Sequence, residues 1–313
     1  MKALVTGAAG FIGSTLSERL IADGGDVVGL DCFTDYYARE VKERNLSGLA
    51  GHPQFRFVES TIRDADLPAL LRDRTHVFHL AAQAGVRKSW GRDFAVYTVN
   101  NIEATQLLLE AACGAATLER LVYASSSSVY GDDVAIPMRE DALPQPVSPY
   151  GVTKLAAEQL CHLYYTNYRV PAVSLRYFTV YGPRQRPDMG FHKFLRATIR
   201  AEPIRLYGDG EQTRDFTYVH DAVNATVAAA VRGVPGRVYN IGGGSRVSVN
   251  HVVEMIARVA GRRPIVEVDP AQPGDMRHTY ADTSLARAEL GFQPKVSLEE
   301  GLSAEFQWLA GVL

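Results

Sequence analysis

Lys2-Ala-Leu-Val-Thr-Gly-Ala-Ala-Gly-Phe-Ile-Gly-Ser14 is the stretch that decides the fold. Lys2 to Val5 reads as a short buried strand, the glycines at 7, 10 and 13 break it, and Ser14 to Ala22 reads as a helix. Glycines where a strand turns into a helix allow a tight turn and let a pyrophosphate approach the helix N-terminus. A second strand, Asp26 to Leu30, leads into Asp31, at the spacing where a carboxylate binds both hydroxyls of a ribose. Such an acid repels a 2′-phosphate, so the pattern selects NAD over NADP.

Working outward, strand and helix keep alternating. Strands are expected near Phe55 to Val58, His76 to Leu80, Leu121 to Ala124 and Ala172 to Leu175, separated by helices near Asp66 to Leu71, Phe94 to Gly114 and Pro149 to Tyr168. This alternation specifies an α/β protein with a doubly wound parallel Rossmann sheet. Asp35 to Leu49 reads as a charged surface helix. After Arg176 the rhythm changes to Gly- and Pro-rich loops (Tyr181-Gly-Pro-Arg184, Tyr207-Gly-Asp-Gly210, Ile241-Gly-Gly-Gly244, Gln272-Pro-Gly-Asp275) with helices near Val219 to Arg232 and Val249 to Gly261. The expectation is a cofactor-binding domain over residues 1–176 that also receives segments near 215–243. A smaller, interleaved C-terminal domain, mainly 177–313, would bind substrate.

With 46% hydrophobic and 22% charged residues, the 313-residue chain has the composition of a folded protein with a well-buried core. The formal charge, 33 basic minus 35 acidic or −2, gives no electrostatic case for a nucleic-acid partner. Cys32, Cys113 and Cys161 are odd in number and far apart, which fits neither a disulfide framework nor a zinc site, so no metal is expected and the cysteines read as small buried hydrophobes. No apolar run approaches the roughly 20 residues needed to span a bilayer, and no signal peptide pattern is seen, so a cytoplasmic location without membrane association is expected.

The chemistry centres on Tyr150-Gly-Val-Thr-Lys154. A Tyr and a Lys four apart on a helix share one face, so an ammonium can favour the phenolate and make tyrosine a usable base. Ahead of them, Leu121-Val-Tyr-Ala-Ser-Ser-Ser-Ser-Val-Tyr-Gly131 runs from a strand into four hydroxyls, and Ser126 can share the proton that Tyr150 removes. His79, His192 and His220 are read as packing or capping residues, with His192 near the pocket.

Taken together, TGAAGFIG, LAAQAGVR, the serine run before VYG, YGVTK, RYFTVYGPRQRPDM, GDGEQTRDFTYVHDA, YNIGGG and PGDMRHTYAD resemble an extended short-chain dehydrogenase/reductase acting on nucleotide sugars, within the NAD-dependent epimerase/dehydratase family. The resemblance implies a tightly held NAD, contacted by Gly7, Gly10, Phe11, Ile12, Gly13, Asp31, Ile62, Leu80, Ala81, Ala82, Gln83, Asn100, Tyr150, Lys154 and Tyr177. It also implies a sugar oxidised at C4 to a ketone by Tyr150, Lys154 and Ser126. The 4,6-dehydratases carry Asp-Glu before VYG, and the UDP-glucuronate decarboxylases carry Glu there; this chain has Ser127 and Ser128. Without those acids the expected outcome is 4-epimerisation, in which the ketone rotates and hydride returns to its other face.

The stretch Gly182-Pro-Arg-Gln-Arg-Pro-Asp-Met189 most resembles the UDP-glucuronate 4-epimerases, and arginine suits bidentate carboxylate binding. Arg186 is preferred over Arg184 as the carboxylate partner, with Ser127, Ser128 and Thr179 adding hydroxyl donors. Arg214 and Arg277 match the family's diphosphate-binding arginines, Tyr207 is expected to stack on uracil, and Arg87 and Phe191 complete the substrate-binding set. UDP-galactose or UDP-N-acetylhexosamine 4-epimerisation is the alternative; a decarboxylase, a dehydratase and an NAD-sensing regulator rank below it. Thr61 departs from the Asp that relatives place before Ile-Arg-Asp, which weakens the adenine contact. The resemblance also implies a homodimer built from the helices at Phe94 to Gly114 and Pro149 to Tyr168.

Overall fold

The computed structural model describes residues 1–313. In chain order the elements are β1 (Lys2–Thr6), α1 (Phe11–Ala22), β2 (Asp26–Asp31), α2 (Arg39–Leu46), β3 (Phe55–Glu59), α3 (Leu67–Leu71), β4 (His76–His79), α4 (Phe94–Tyr97) and α5 (Ala104–Cys113). There follow β5 (Arg120–Ser126), α6 (Pro149–Tyr168), β6 (Ala172–Tyr177), β7 (Val180–Tyr181), α7 (Gly190–Arg200), β8 (Pro203–Tyr207), β9 (Thr213–Asp215) and β10 (Thr217–Tyr218). The chain ends with α8 (Val219–Arg232), β11 (Val238–Ile241), β12 (Arg246–Ser248), α9 (Val249–Ala260), β13 (Ile265–Asp269) and α10 (Leu298–Ala310).

Seven strands form one parallel sheet in the order β11-β6-β5-β4-β1-β2-β3. All its strands but the edge strand β3 are almost wholly buried, as a sheet covered on both faces requires. One face packs on α1 and α8, through Leu16, Leu20, Ala222 and Ala229; the other packs on α3, α5 and α6, through Leu71, Leu108, Ala157 and Cys161. Register brings Thr6 beside Leu30 and His79, and Ser126 beside Tyr177, so the carboxyl ends of the strands align along one edge. The strand order reverses between β1 and β4, and a crevice opens there. Three two-stranded sheets, β7 with β10, β9 with β12 and β8 with β13, flank that edge.

α6, which carries the tyrosine and lysine, is closely specified by local chemistry. Ser148 caps it by accepting from the Gly151 amide at 3.1 Å, Pro149 occupies the first turn, and Arg169 ends it in the left-handed conformation at φ 61°.

Three expectations need correction. The helix expected from Phe94 to Gly114 is interrupted: a π-helical turn spans Thr98–Glu103 between α4 and α5. The wide turn points Asn101 inward, where its side chain accepts from the Gln83 amide at 2.7 Å and donates to the Gln83 carbonyl at 3.0 Å and to Thr153 Oγ1 at 2.9 Å. The surface helix expected over Asp35 to Leu49 forms only at Arg39–Leu46; the segment before it turns inward, so that Tyr36 and Tyr37 face the crevice, and Lys42 reaches it from the helix itself. Cys113, expected to be buried, is exposed near the end of α5; Cys161 is buried and Cys32 half-buried, and all three are free thiols.

Candidate active site

The crevice runs from the first β–α turn, past the ends of β4, β5 and β6, to β8 and α9. At its first end the glycine turn is built for close approach. A Cβ at Gly13 would lie 2.1 Å from the Gly7 carbonyl oxygen, and one at Gly7, where φ is 71°, would lie 2.8 Å from the Ala81 amide nitrogen. Beyond it, Asp31 is held by both oxygens: Oδ2 accepts from the Ala9 amide at 3.1 Å and Oδ1 from the Phe33 amide at 2.9 Å. Gly7, Gly10, Phe11, Ile12, Gly13, Asp31, Ile62, Leu80, Ala81, Ala82, Gln83 and Asn100 all line this arm. A glycine cradle with no room for side chains, followed by a fixed carboxylate, fits a dinucleotide with free ribose hydroxyls. Thr61 also lines it, and its hydroxyl donates to Asp64 Oδ2 at 2.6 Å.

At the centre stand Ser126, Ser127, Ser128, Tyr150, Lys154, Tyr177 and Thr179. Burial pushes the Tyr150 phenol above its ordinary pKa, the Arg186 charge and the Ser126 hydroxyl pull it back, and Asp188 adds to the rise. Burial brings Lys154 down to about 7, against the opposing influence of Cys161 and Glu158. Its Nζ sits 4.4 Å from the centroid of the Tyr123 ring, which favours the cation. Ser126 Oγ accepts from the Ser128 amide at 3.1 Å, which turns the serine run back on itself. The Tyr177 hydroxyl is paired with Thr226 Oγ1 on α8 at 2.6 Å, so this residue presents its ring rather than its oxygen to the crevice. A phenol, an ammonium and a hydroxyl so grouped can exchange a proton with a substrate alcohol.

The arginines separate into two groups. Arg186 lines the crevice, with Nε and Nη2 bound to the two oxygens of Asp188 at 2.9 and 3.0 Å. Arg214 is half-buried in the crevice wall, and Arg87 lines it while paired with Asp275 at 2.6 Å. Arg184 and Arg277, both expected to bind substrate, lie outside the lining. Arg184 turns to α1 and pairs with Glu18 at 2.8 Å, because the loop that aims Arg186 inward aims Arg184 the other way. Arg277 is exposed and pairs with Asp209 at 2.7 Å. Phe191 packs against Phe216 with ring centroids 4.5 Å apart at the crevice wall. The Arg87 guanidinium lies 4.0 Å over the Tyr207 ring, so one face expected to be open to a base already carries a cation. His79 and His192 pack internally, His79 between Thr6 and Thr105 and His192 on the Gln185 carbonyl, whereas His220 is exposed and only tilts against Tyr218.

Residues 3–242 match the model of the NAD dependent epimerase/dehydratase family. The chain belongs to that family. Among its relatives, an uncharacterized UDP-glucose epimerase of Bacillus subtilis (strain 168), YtcB, is 44% identical, the match covering 100% of this chain and 99% of the relative. A UDP-glucuronate 4-epimerase of Thermodesulfobacterium geofontis is 36% identical over 97% of this chain and 95% of its own. The solved structure of UDP-glucuronic acid 4-epimerase from Bacillus cereus, in complex with UDP-glucuronic acid and NAD, is 45% identical and superposes with a TM-score of 0.97 over 100% of both chains.

Three residues of this family member were missed by sequence reasoning. Asn101 was hidden inside an apparently regular helix, and Tyr36 and Asp188 lie in loops that meet across 152 positions, Asp188 also pairing with Arg186 two residues away. A polar residue facing inward on an otherwise apolar stripe was the available signal for Asn101, and an acid two residues after Arg186 was the one for Asp188; nothing local marks Tyr36.

Proposed function

We propose that the protein is an NAD-dependent UDP-sugar 4-epimerase that interconverts UDP-glucuronate and UDP-galacturonate. The observation that carries this reading is the placement of Arg186 in the crevice beside Tyr150, facing strand ends that carry Ser127, Ser128 and Thr179 and no acid. A guanidinium and three hydroxyls can hold a sugar carboxylate, whereas elimination chemistry lacks the carboxyl groups it would need at positions 127 and 128. The Bacillus cereus structure with UDP-glucuronic acid supports the same choice.

NAD, when bound, supplies the hydride acceptor at C4 and returns the hydride after the sugar turns. Tyr150 takes the proton from the C4 hydroxyl, Ser126 holds that oxygen, and Lys154 offsets the phenolate charge. The ketone so formed is a β-keto acid, which loses CO2 when the C5–C6 bond aligns with the carbonyl π system. Arg186 holds the carboxylate out of that alignment, and serines at 127 and 128 supply no proton to C5. Arg214 and Arg87 face the diphosphate. Residues 1–176, with the returning segments near 215–243, serve the cofactor, and the remainder serves the sugar nucleotide.

We assign the helices α4 to α6 to a homodimer interface, because Val96 on α4 and Val152 and Leu163 on α6 are exposed; sedimentation of the purified protein reads this directly. No helix is long and apolar enough to cross a membrane.

The decisive experiment incubates the protein with UDP-glucuronate and UDP-glucose separately, without added NADH, and separates the products. Isomer from UDP-glucuronate is expected. Isomer from UDP-glucose alone, as the name of the Bacillus subtilis relative suggests, overturns the carboxylate reading, and a product lighter by CO2 indicates decarboxylation.

A further inference from the structure

Arg186 is not held by its own loop alone. Both oxygens of Asp188 are taken by its Nε and Nη2, and Nη1 has no partner in the protein. Asp188 Oδ2 also accepts a hydrogen bond from the Tyr36 hydroxyl at 3.2 Å. Tyr36 comes from the opposite wall, in the loop between β2 and α2 that begins just after Asp31. Its oxygen passes so close to the loop after β4 that a Cβ at Gly85 would lie 2.3 Å from it, and Lys88 Nζ stands 5.0 Å from its ring centroid. The tyrosine thus bridges the cofactor arm of the crevice and the loop that carries Arg186.

We propose that Tyr36 and Asp188 are positioning residues for the sugar: together they lock the Arg186 fork so that the opposite edge, Nη1 with the outer N–H of Nη2, remains for the substrate carboxylate, and they tie that arginine to the loop following Asp31. The proposal rests on the reading of Arg186 as the carboxylate partner. A guanidinium anchored on one edge has a fixed direction for its free edge, and that direction decides whether the carboxylate is held away from the π system of the ketone. Asp188→Asn keeps the shape but can offer its oxygen to only one of the two donors, so the fork loses its register. Tyr36→Phe keeps the ring and its Lys88 contact but removes the donor to Oδ2.

The test measures three quantities for Tyr36→Phe, Asp188→Asn and Arg186→Lys: KM and kcat for UDP-glucuronate, the pentose share of the product, and the affinity for UDP, which lacks a carboxylate. Tyr36→Phe and Asp188→Asn are expected to raise KM by about fivefold or more, as loss of a hydrogen bond to a charged group predicts. Their kcat should change less than KM, the pentose share should rise several-fold, and UDP affinity should stay as in the parent protein. If both variants keep the parental KM and product share while Arg186→Lys alters them, the positioning proposal is overturned and the carboxylate reading stands. If Arg186→Lys also behaves as the parent, the reading of Arg186 fails and the proposal falls with it. A parallel loss of UDP affinity would show a general structural role and would likewise overturn the proposal.

Discussion

At the scale of single residues, burial acts on the two members of the central pair in opposite directions, raising Tyr150 and lowering Lys154 to about 7. Both shifts disfavour the charged forms, so the phenolate depends on nearby positive charge, with Arg186 the main cation acting on it within the protein. Tyr150→Phe is expected to lower kcat by about a thousandfold, in the range of a lost general base, with little change in the affinity for UDP. Product chromatography and UDP titration check this, and an active Tyr150→Phe protein would remove the tyrosine from the mechanism. Arg186, rather than Arg184, faces the crevice because backbone direction, invisible in the motif, sends the two arginines to opposite sides of their loop.

At the scale of elements, the serine strand must stay in register with the tyrosine helix, and a buried cluster between them does this. Glu158 on α6 receives Arg176 Nη2 from β6 at 2.6 Å and Ser125 Oγ from β5 at 2.6 Å, while Arg176 Nη1 reaches the Glu140 carbonyl at 3.3 Å. Glu158 and Arg176 are each almost fully buried, so removing one leaves the other uncompensated. Glu158→Gln is expected to cost about 3–5 kcal/mol of stability. It also withdraws a charge that raises the Lys154 pKa, so the lysine loses its proton at lower pH and the alkaline limb of activity moves down. In the double variant Glu158→Gln/Arg176→Met, stability should recover while the alkaline limb stays displaced. Thermal unfolding and a pH–rate profile read the two effects apart, and an unmoved limb would break the link to Lys154.

At the scale of the whole molecule, two buried groups give stability opposing pH dependences. His79 is fully buried and brought down from 6.5 to about 3 by burial, then by the Lys154 charge. Its folded pKa lies below the unfolded one, so the unfolded chain binds the proton first and stability is lost as pH falls from about 6.5 towards 3. Asp215, which accepts from the amides of Gly243, Gly244 and Ala281, is raised from 3.8 to about 6 by burial. There the folded state binds the proton first, so stability is gained as pH falls from about 6 to about 4. The two effects offset each other in that window. His79→Gln should therefore become relatively more stable with acidification, by about 1.4 kcal/mol per pH unit between pH 6 and 4, against the parent protein. Urea unfolding across that range tests it; parallel pH profiles for the two proteins would refute the assignment to His79. As for what was legible beforehand, the sequence by itself determined the parallel sheet, the glycine turn with Asp31, the Tyr150–Lys154 face and the family. Each rests on spacing within a strand, a turn or a helix, and local backbone geometry converts spacing directly into position. Only the tertiary structure decided that Arg277 and Arg184 lie outside the crevice, that a π turn aims Asn101 at Gln83 and Thr153, and that Tyr36 reaches Asp188. Those outcomes depend on how loops cross one another, and pairings that range from 18 positions for Asn101 with Gln83 to 166 for Arg184 with Glu18 leave no periodic mark in the chain.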